Sequence, residues 1–270
     1  MSISQDPYKY EQKKINHVFH YTSYFPDLQN IVRKGFIPSY CKEDIANKKY
    51  LTPMVSFCNI PIGEVDNYMR YGKNGIGMSL KWAVKNGLSP VTYTHENSPY
   101  HFILSSFSML KFHQEISGYK DENGKNFLGM DMLDPFAFDQ NSIRYKANLK
   151  LLQFLKNWET EYKGETIITY QEREWRYVID SHKILPIIDE SHKEYKNFTD
   201  KKLKPKPHLP EYTLNIDNLD DIKYLVVTTD KQREKIIGTL NKRFSEELTT
   251  RAILNGALVI LNASQIRNDF

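Results

Sequence analysis

Short runs of β-branched and aromatic residues, set at irregular intervals between a few helix-length stretches, constrain this chain more than any other feature. Val18 to Thr22, Met54 to Cys58, Ile76 to Ser79 and Val91 to Thr94 each read as a strand, as do Thr166 to Tyr170, Glu174 to Ile179, Tyr224 to Thr228 and Ala257 to Leu261. Helical spacing runs from Ser23 or Pro26 through Leu28, Ile31 and Val32 to a stop at Gly35. Further helices are expected from Gly63 to Tyr71, from Leu80 to Asn86 with Ser79 as cap, from Pro99 to about Glu115, from about Ile143 to Trp158, and from Lys231 to Phe244. Strands outnumber long helices and the two kinds alternate without a fixed order, so the pattern predicts an α+β fold rather than a doubly wound sheet.

Length and composition narrow the class. A chain of 270 residues is one large domain or two small ones, and 40% apolar with 26% charged residues is ordinary globular usage. The longest apolar runs, such as Ala257 to Leu261, fall far short of the roughly 20 residues that span a bilayer, so no membrane association is expected. The N-terminal MSISQDPYKYEQKK lacks an apolar centre, which excludes a signal peptide there. Two cysteines, Cys41 and Cys58, make no disulfide framework and fit a reducing cytoplasm. Neither has a histidine at ligand spacing, so no metal is expected.

The familiar nucleotide, hydrolase and zinc motifs are missing, and three segments remain as candidate sites. Strand alternation sets His20 and Thr22 on one face and Tyr21 on the other, as a backbone-bonded core histidine or as a ligand group. Tyr71-Gly-Lys-Asn-Gly-Ile-Gly-Met-Ser79 is a tight turn before a strand, or a place where Gly75 and Gly77 let backbone approach a ligand. In Glu172-Arg-Glu-Trp-Arg176, strand geometry puts Glu172, Glu174 and Arg176 on one face. Such a face is either solvated or, amid the neighbouring apolar runs, partly buried and functional.

Taken in order, these segments resemble an ADP-ribosyltransferase-type split sheet. The stretches FHYTS, PMVSFCNIPI, YGKNGIGMSLKWAVKNGLSPVTY, QEREWRYV and ILNASQIRNDF resemble the AbiGi abortive-infection family of bacterial phage-resistance proteins, known as antitoxins of two-gene systems. The resemblance implies a single domain over residues 1–270, a split mixed β-sheet with flanking helices, a helical insertion at about 99–160 and a Lys/Pro-rich one at about 191–210. It implies NAD as substrate, with His20, Tyr21 and Thr22 at the ribose of the nicotinamide end. Ser56, Phe57, Gly75 and Gly77 would complete the NAD site, with Tyr71 against the nicotinamide ring. Glu174, or Glu172 beside it, would bond the ribose and stabilise the cation-like transition state as nicotinamide leaves. No arginine stands on the first strand, so the set would be a His-Tyr-Glu variant.

The acceptor implied is nucleic acid, RNA or DNA, or a translation component. Lys193, Lys196, Lys201, Lys202, Lys204 and Lys206 face only Glu194 and Asp200 between residues 191 and 210, a local excess that equals the net charge of +4 of the whole chain. That segment is either a solvated loop or a track for a phosphate backbone. The alternative implied by the family is a catalytically inactive antitoxin that neutralises a partner toxin, the product of a neighbouring gene.

Overall fold

The structure is a computed structural model that describes residues 15–45, 48–64, 71–95, 97–98, 149–162, 164–181, 183–190, 192–199 and 208–269. In chain order the first elements are β1 (His17–Thr22), α1 (Phe25–Lys34), β2 (Ser39–Ile45), β3 (Lys48–Cys58), β4 (Asn74–Ser79), α2 (Leu80–Lys85), β5 (Ser89–Pro90) and β6 (Thr92–Thr94). There follow β7 (Leu155–Asn157), β8 (Glu159–Tyr162), β9 (Glu165–Ile168), β10 (Glu174–Val178), β11 (Ile188–Asp189) and α3 (Lys193–Thr199). The chain continues with β12 (Ile222–Val227), α4 (Asp230–Phe244), α5 (Glu246–Leu254), β13 (Val259–Asn262) and α6 (Ala263–Asp269). The fold is α+β, and it divides into two compact units.

The first unit comprises Met1–Leu28, Asn59–Ala83 and Asn218–Phe270. Its strands lie in the order β13-β12-β4-β1, with β12 parallel to β13 and β4 antiparallel to both β12 and β1, a mixed sheet. Strand β12 forms because Ile222, Leu225, Val226 and Val227 are all buried, and α4 covers it with Ile236 and Leu240. Thr229 starts α4 by accepting a hydrogen bond from the Gln232 amide at 3.2 Å. Ser79 does the same for α2, taking the Trp82 amide at 3.1 Å.

Every residue of β4 is buried, and its two glycines lie under aromatic rings. A Cβ on Gly75 would stand 2.9 Å from the Tyr21 ring, and one on Gly77 would stand 2.9 Å from Phe19 and 3.0 Å from Tyr224. Phe19 and Tyr21 stack at 5.6 Å, and Tyr224 lies against Phe19 at the same distance. The space that glycine leaves at these positions is therefore filled from within the fold.

The second unit comprises Gln29–Cys58 and Val84–Asp217. Its axis is β3, paired antiparallel with β2 from Lys48 to Met54, with β10 from Met54 to Cys58, and with β11 at Tyr50 and Leu51. Ile45, Tyr50, Leu152 and Leu155 pack as one cluster, and Tyr40, Leu51, Ile188 and Tyr195 as another.

Several expectations meet a different structure. The helix read to Trp158 ends at Gln153, and Leu155–Asn157 is a strand parallel to β6. Main-chain pairing decides this: the Thr92 amide donates to Phe154 O and the Trp158 amide to Thr94 O, each at 2.7 Å. The strand read to Tyr170 stops at Ile168, and Thr169–Glu172 is a 3-10 turn closed by Arg173 at φ 46°. Glu172 is thus not on the strand that carries Glu174 and Arg176. Inside the Lys/Pro-rich stretch, α3 forms because Tyr195 has a buried place against β2 and β3. The helix read from Pro99 to about Glu115 lies outside the described residues.

Candidate functional site

Strand β10 carries Glu174 and Arg176 at alternate positions, and both point into the second unit. Arg176 has 0% of its side chain exposed and is the largest fully buried side chain among the described residues. A guanidinium has five N–H donors, and five acceptors surround this one. Nε donates to Glu174 Oε1 at 2.7 Å, and Nη2 reaches Glu174 Oε2 at 3.4 Å and Glu43 Oε1 at 3.0 Å. Nη1 donates to the carbonyls of Gln153 at 2.7 Å and Leu155 at 3.2 Å. Lys156 Nζ lies 3.3 Å from Glu174 and 3.6 Å from Glu43, so two cations face two carboxylates.

The local sequence explains how these charges meet. Glu43 comes from β2 and Lys156 from β7, next to the buried Leu155. On β3, Ser56 stands opposite Arg176 and its hydroxyl hydrogen-bonds the Glu174 carboxylate. Burial alone would raise the Glu174 carboxyl, but Arg176 and Lys156 outweigh it and hold the group at about 2. Burial likewise opposes the charge on Lys156 and Arg176, and Glu43 and Glu174 raise both above their ordinary values. The Tyr93 hydroxyl accepts from the Glu174 amide at 2.7 Å, and burial pushes that phenol up.

The remaining residues singled out in this unit have definite places. Glu172 is buried in the 3-10 turn, and its charge is felt at Tyr93 and Lys156. Phe57 is buried with its ring edge-on to Phe36 at 5.0 Å. Cys41 and Cys58 are not joined in a disulfide, and each is half-buried.

His20, Tyr21, Thr22, Tyr71, Gly75 and Gly77 belong to the first unit. His20 pairs with Ile76 across β1 and β4 and is half-buried. The Thr22 hydroxyl donates to Tyr24 O at 3.0 Å, and Ser23 donates to Tyr71 O at 3.4 Å. Beyond Thr22 lies an open cleft of about 520 Å³, lined by residues that include Ser23, Tyr24, Lys73, Asn74 and Thr228. Lys201, Lys202, Lys204 and Lys206 lie outside the described residues.

Among the described residues no group of three or more His, Cys, Asp or Glu side chains is arranged to hold a metal ion. Among them, too, no helix is long and apolar enough to cross a membrane. Sequence reading passed over Glu43, Lys156 and Asn74. Glu43 had a signal, since Tyr40, Glu43 and Ile45 are the buried positions of a short strand otherwise made of polar residues.

The profile of a family described as "Putative abortive phage resistance protein AbiGi, antitoxin" matches residues 34–228. The chain is also similar to a protein of Lactococcus lactis subsp. cremoris named "Abortive phage resistance protein AbiGi". The two are 26% identical over 231 residues, covering 78% of this chain and 85% of that one. No solved structure matches.

Proposed function

From the premise that this chain belongs to the AbiGi family of abortive phage resistance proteins, we propose that it serves phage resistance as an antitoxin, neutralising a partner toxin by binding it. The observation that carries this reading is the state of Glu174. A transferase needs a carboxylate whose field is free to act on positive charge developing on the sugar. Glu174 is buried and already balanced by Arg176 at 2.7 Å and Lys156 at 3.3 Å. A guanidinium in contact with that carboxylate opposes a second, transient cation. Binding asks nothing of this cluster except that it hold β2, β3, β7 and β10 together.

A second reading keeps one specific support, the hydrogen bond between Ser56 and Glu174 across β3 and β10. In it the chain is an NAD-dependent ADP-ribosyltransferase with a split sheet. Glu174 with Glu172 stabilises the departing sugar, His20, Tyr21 and Thr22 hold the ribose, Tyr71 meets the nicotinamide, and nucleic acid or a translation component is the acceptor. One assay separates the two. Purified full-length protein is incubated with NAD labelled in its nicotinamide, with and without extract of phage-infected cells. The antitoxin reading predicts no nicotinamide release above buffer. Release that Glu174→Gln abolishes, with circular dichroism unchanged, would overturn it in favour of the transferase.

A further inference from the structure

The cleft of about 520 Å³ in the first unit sits where two strands run out and two helices begin. β1 ends at Thr22 and leads into α1 at Phe25; β12 ends at Val227 and leads into α4 at Asp230. Between them β4 begins at Asn74, paired with Thr22, while Gly75 pairs with Val226. Two helix N-termini therefore flank one short loop, Gly72-Lys73-Asn74. Helix N-termini attract anions. Asp27 and Asp230 in the first turns offset part of that field, and neither lines the cleft. Lys73 is the charged residue that does line it.

A second observation, independent of the helix ends, points to a ligand in the cleft. Asn74 lines it with only 3% of its surface exposed, and among the described residues its Oδ1 has no hydrogen-bond partner. Buried amide oxygens are nearly always paired, so this one calls for a donor from outside the chain. The floor is rigid. A Cβ on Gly72 would fall 2.0 Å from Thr22 O and 2.7 Å from the Ser23 amide, so only glycine lets the loop lie against that backbone. Thr228 is fixed by Gln232, whose Oε1 accepts from both its amide and its hydroxyl at 2.9 Å. Tyr24 stands at the rim with 71% of its surface exposed.

A ligand that answers all of this carries an anion for Lys73, a hydroxyl or amine donor for Asn74 and a flat ring for Tyr24. We propose that the cleft binds a mononucleotide, its phosphate at Lys73 between the starts of α1 and α4, its donor group on Asn74 and its base on Tyr24. The site uses no atom of Glu174 and requires no cleavage of NAD, so it stands or falls apart from both readings above.

Calorimetry of the full chain with AMP, inorganic phosphate and adenosine tests it. AMP is expected to bind about tenfold or more tightly than either fragment, since it alone engages both ends of the cleft. Lys73→Gln, at an exposed position that leaves folding intact, should weaken AMP about tenfold and leave adenosine unchanged. Asn74→Leu should weaken AMP and adenosine alike. Absence of AMP binding, or AMP binding that Lys73→Gln leaves unaltered, overturns the proposal. AMP binding without nicotinamide release from NAD upholds it while the transferase reading falls.

Discussion

Arg176 shows what one residue can settle. Isolated, a buried guanidinium is far too costly to keep, and its five satisfied donors are the reason it is tolerated. Replacing Arg176 with Met leaves Glu174 and Glu43 facing Lys156 alone, and is expected to lower the free energy of unfolding in urea by about 3–5 kcal/mol. The pH dependence has a definite sign. Glu174 is held at about 2, below its ordinary 4.5, so its contribution is full above pH 4.5 and is lost as pH falls toward 2. A urea midpoint that drops through that window, and drops less in Glu174→Gln, is the expected outcome. The pairing of Glu174 with Arg176 was legible from strand alternation. Its other half was not, because Glu43 and Lys156 come from strands more than a hundred residues apart in sequence and nothing local to either says that they meet.

Elements were legible where local chemistry and burial agree. β1, α1, β4, α2, β12 and α4 have apolar periodicity together with a cap, glycine or proline at their ends, and the structure holds each close to its expected bounds. β2 escaped notice because its sequence, SYCKEDI, alternates around a buried carboxylate instead of an apolar side chain. β7 lies within a helically spaced stretch and becomes a strand through its partner, β6, about sixty residues earlier. The glycines of β4 and α4 predict opposite effects of one substitution. Gly77→Ala drives a methyl into Phe19 and Tyr224, and is expected to destabilise by about 1–3 kcal/mol in thermal or urea unfolding. Gly238→Ala, inside α4 with open space around it, is expected to stabilise by about 0.5–1 kcal/mol.

At the scale of the whole molecule, the α+β class followed from the order of strand-like and helix-like segments, whereas the division into two units did not. The first unit is assembled from three stretches, Met1–Leu28, Asn59–Ala83 and Asn218–Phe270, so neighbourhood in sequence says little about neighbourhood in space. Family membership spans both units, with residues 34–228 matched, and gives a biological setting to a chain whose charged side chains are buried and paired with one another at Glu174 and Arg176. The transferase reading drew on residues from both units, and the structure describes each set within its own. The most direct test of the antitoxin reading is growth. The chain is expressed in a bacterial host alone, and then together with the partner toxin that the antitoxin reading requires. The account predicts normal growth alone and restored growth when the toxin is present. Growth arrest by the chain alone, relieved by Glu174→Gln at equal protein level, would contradict it.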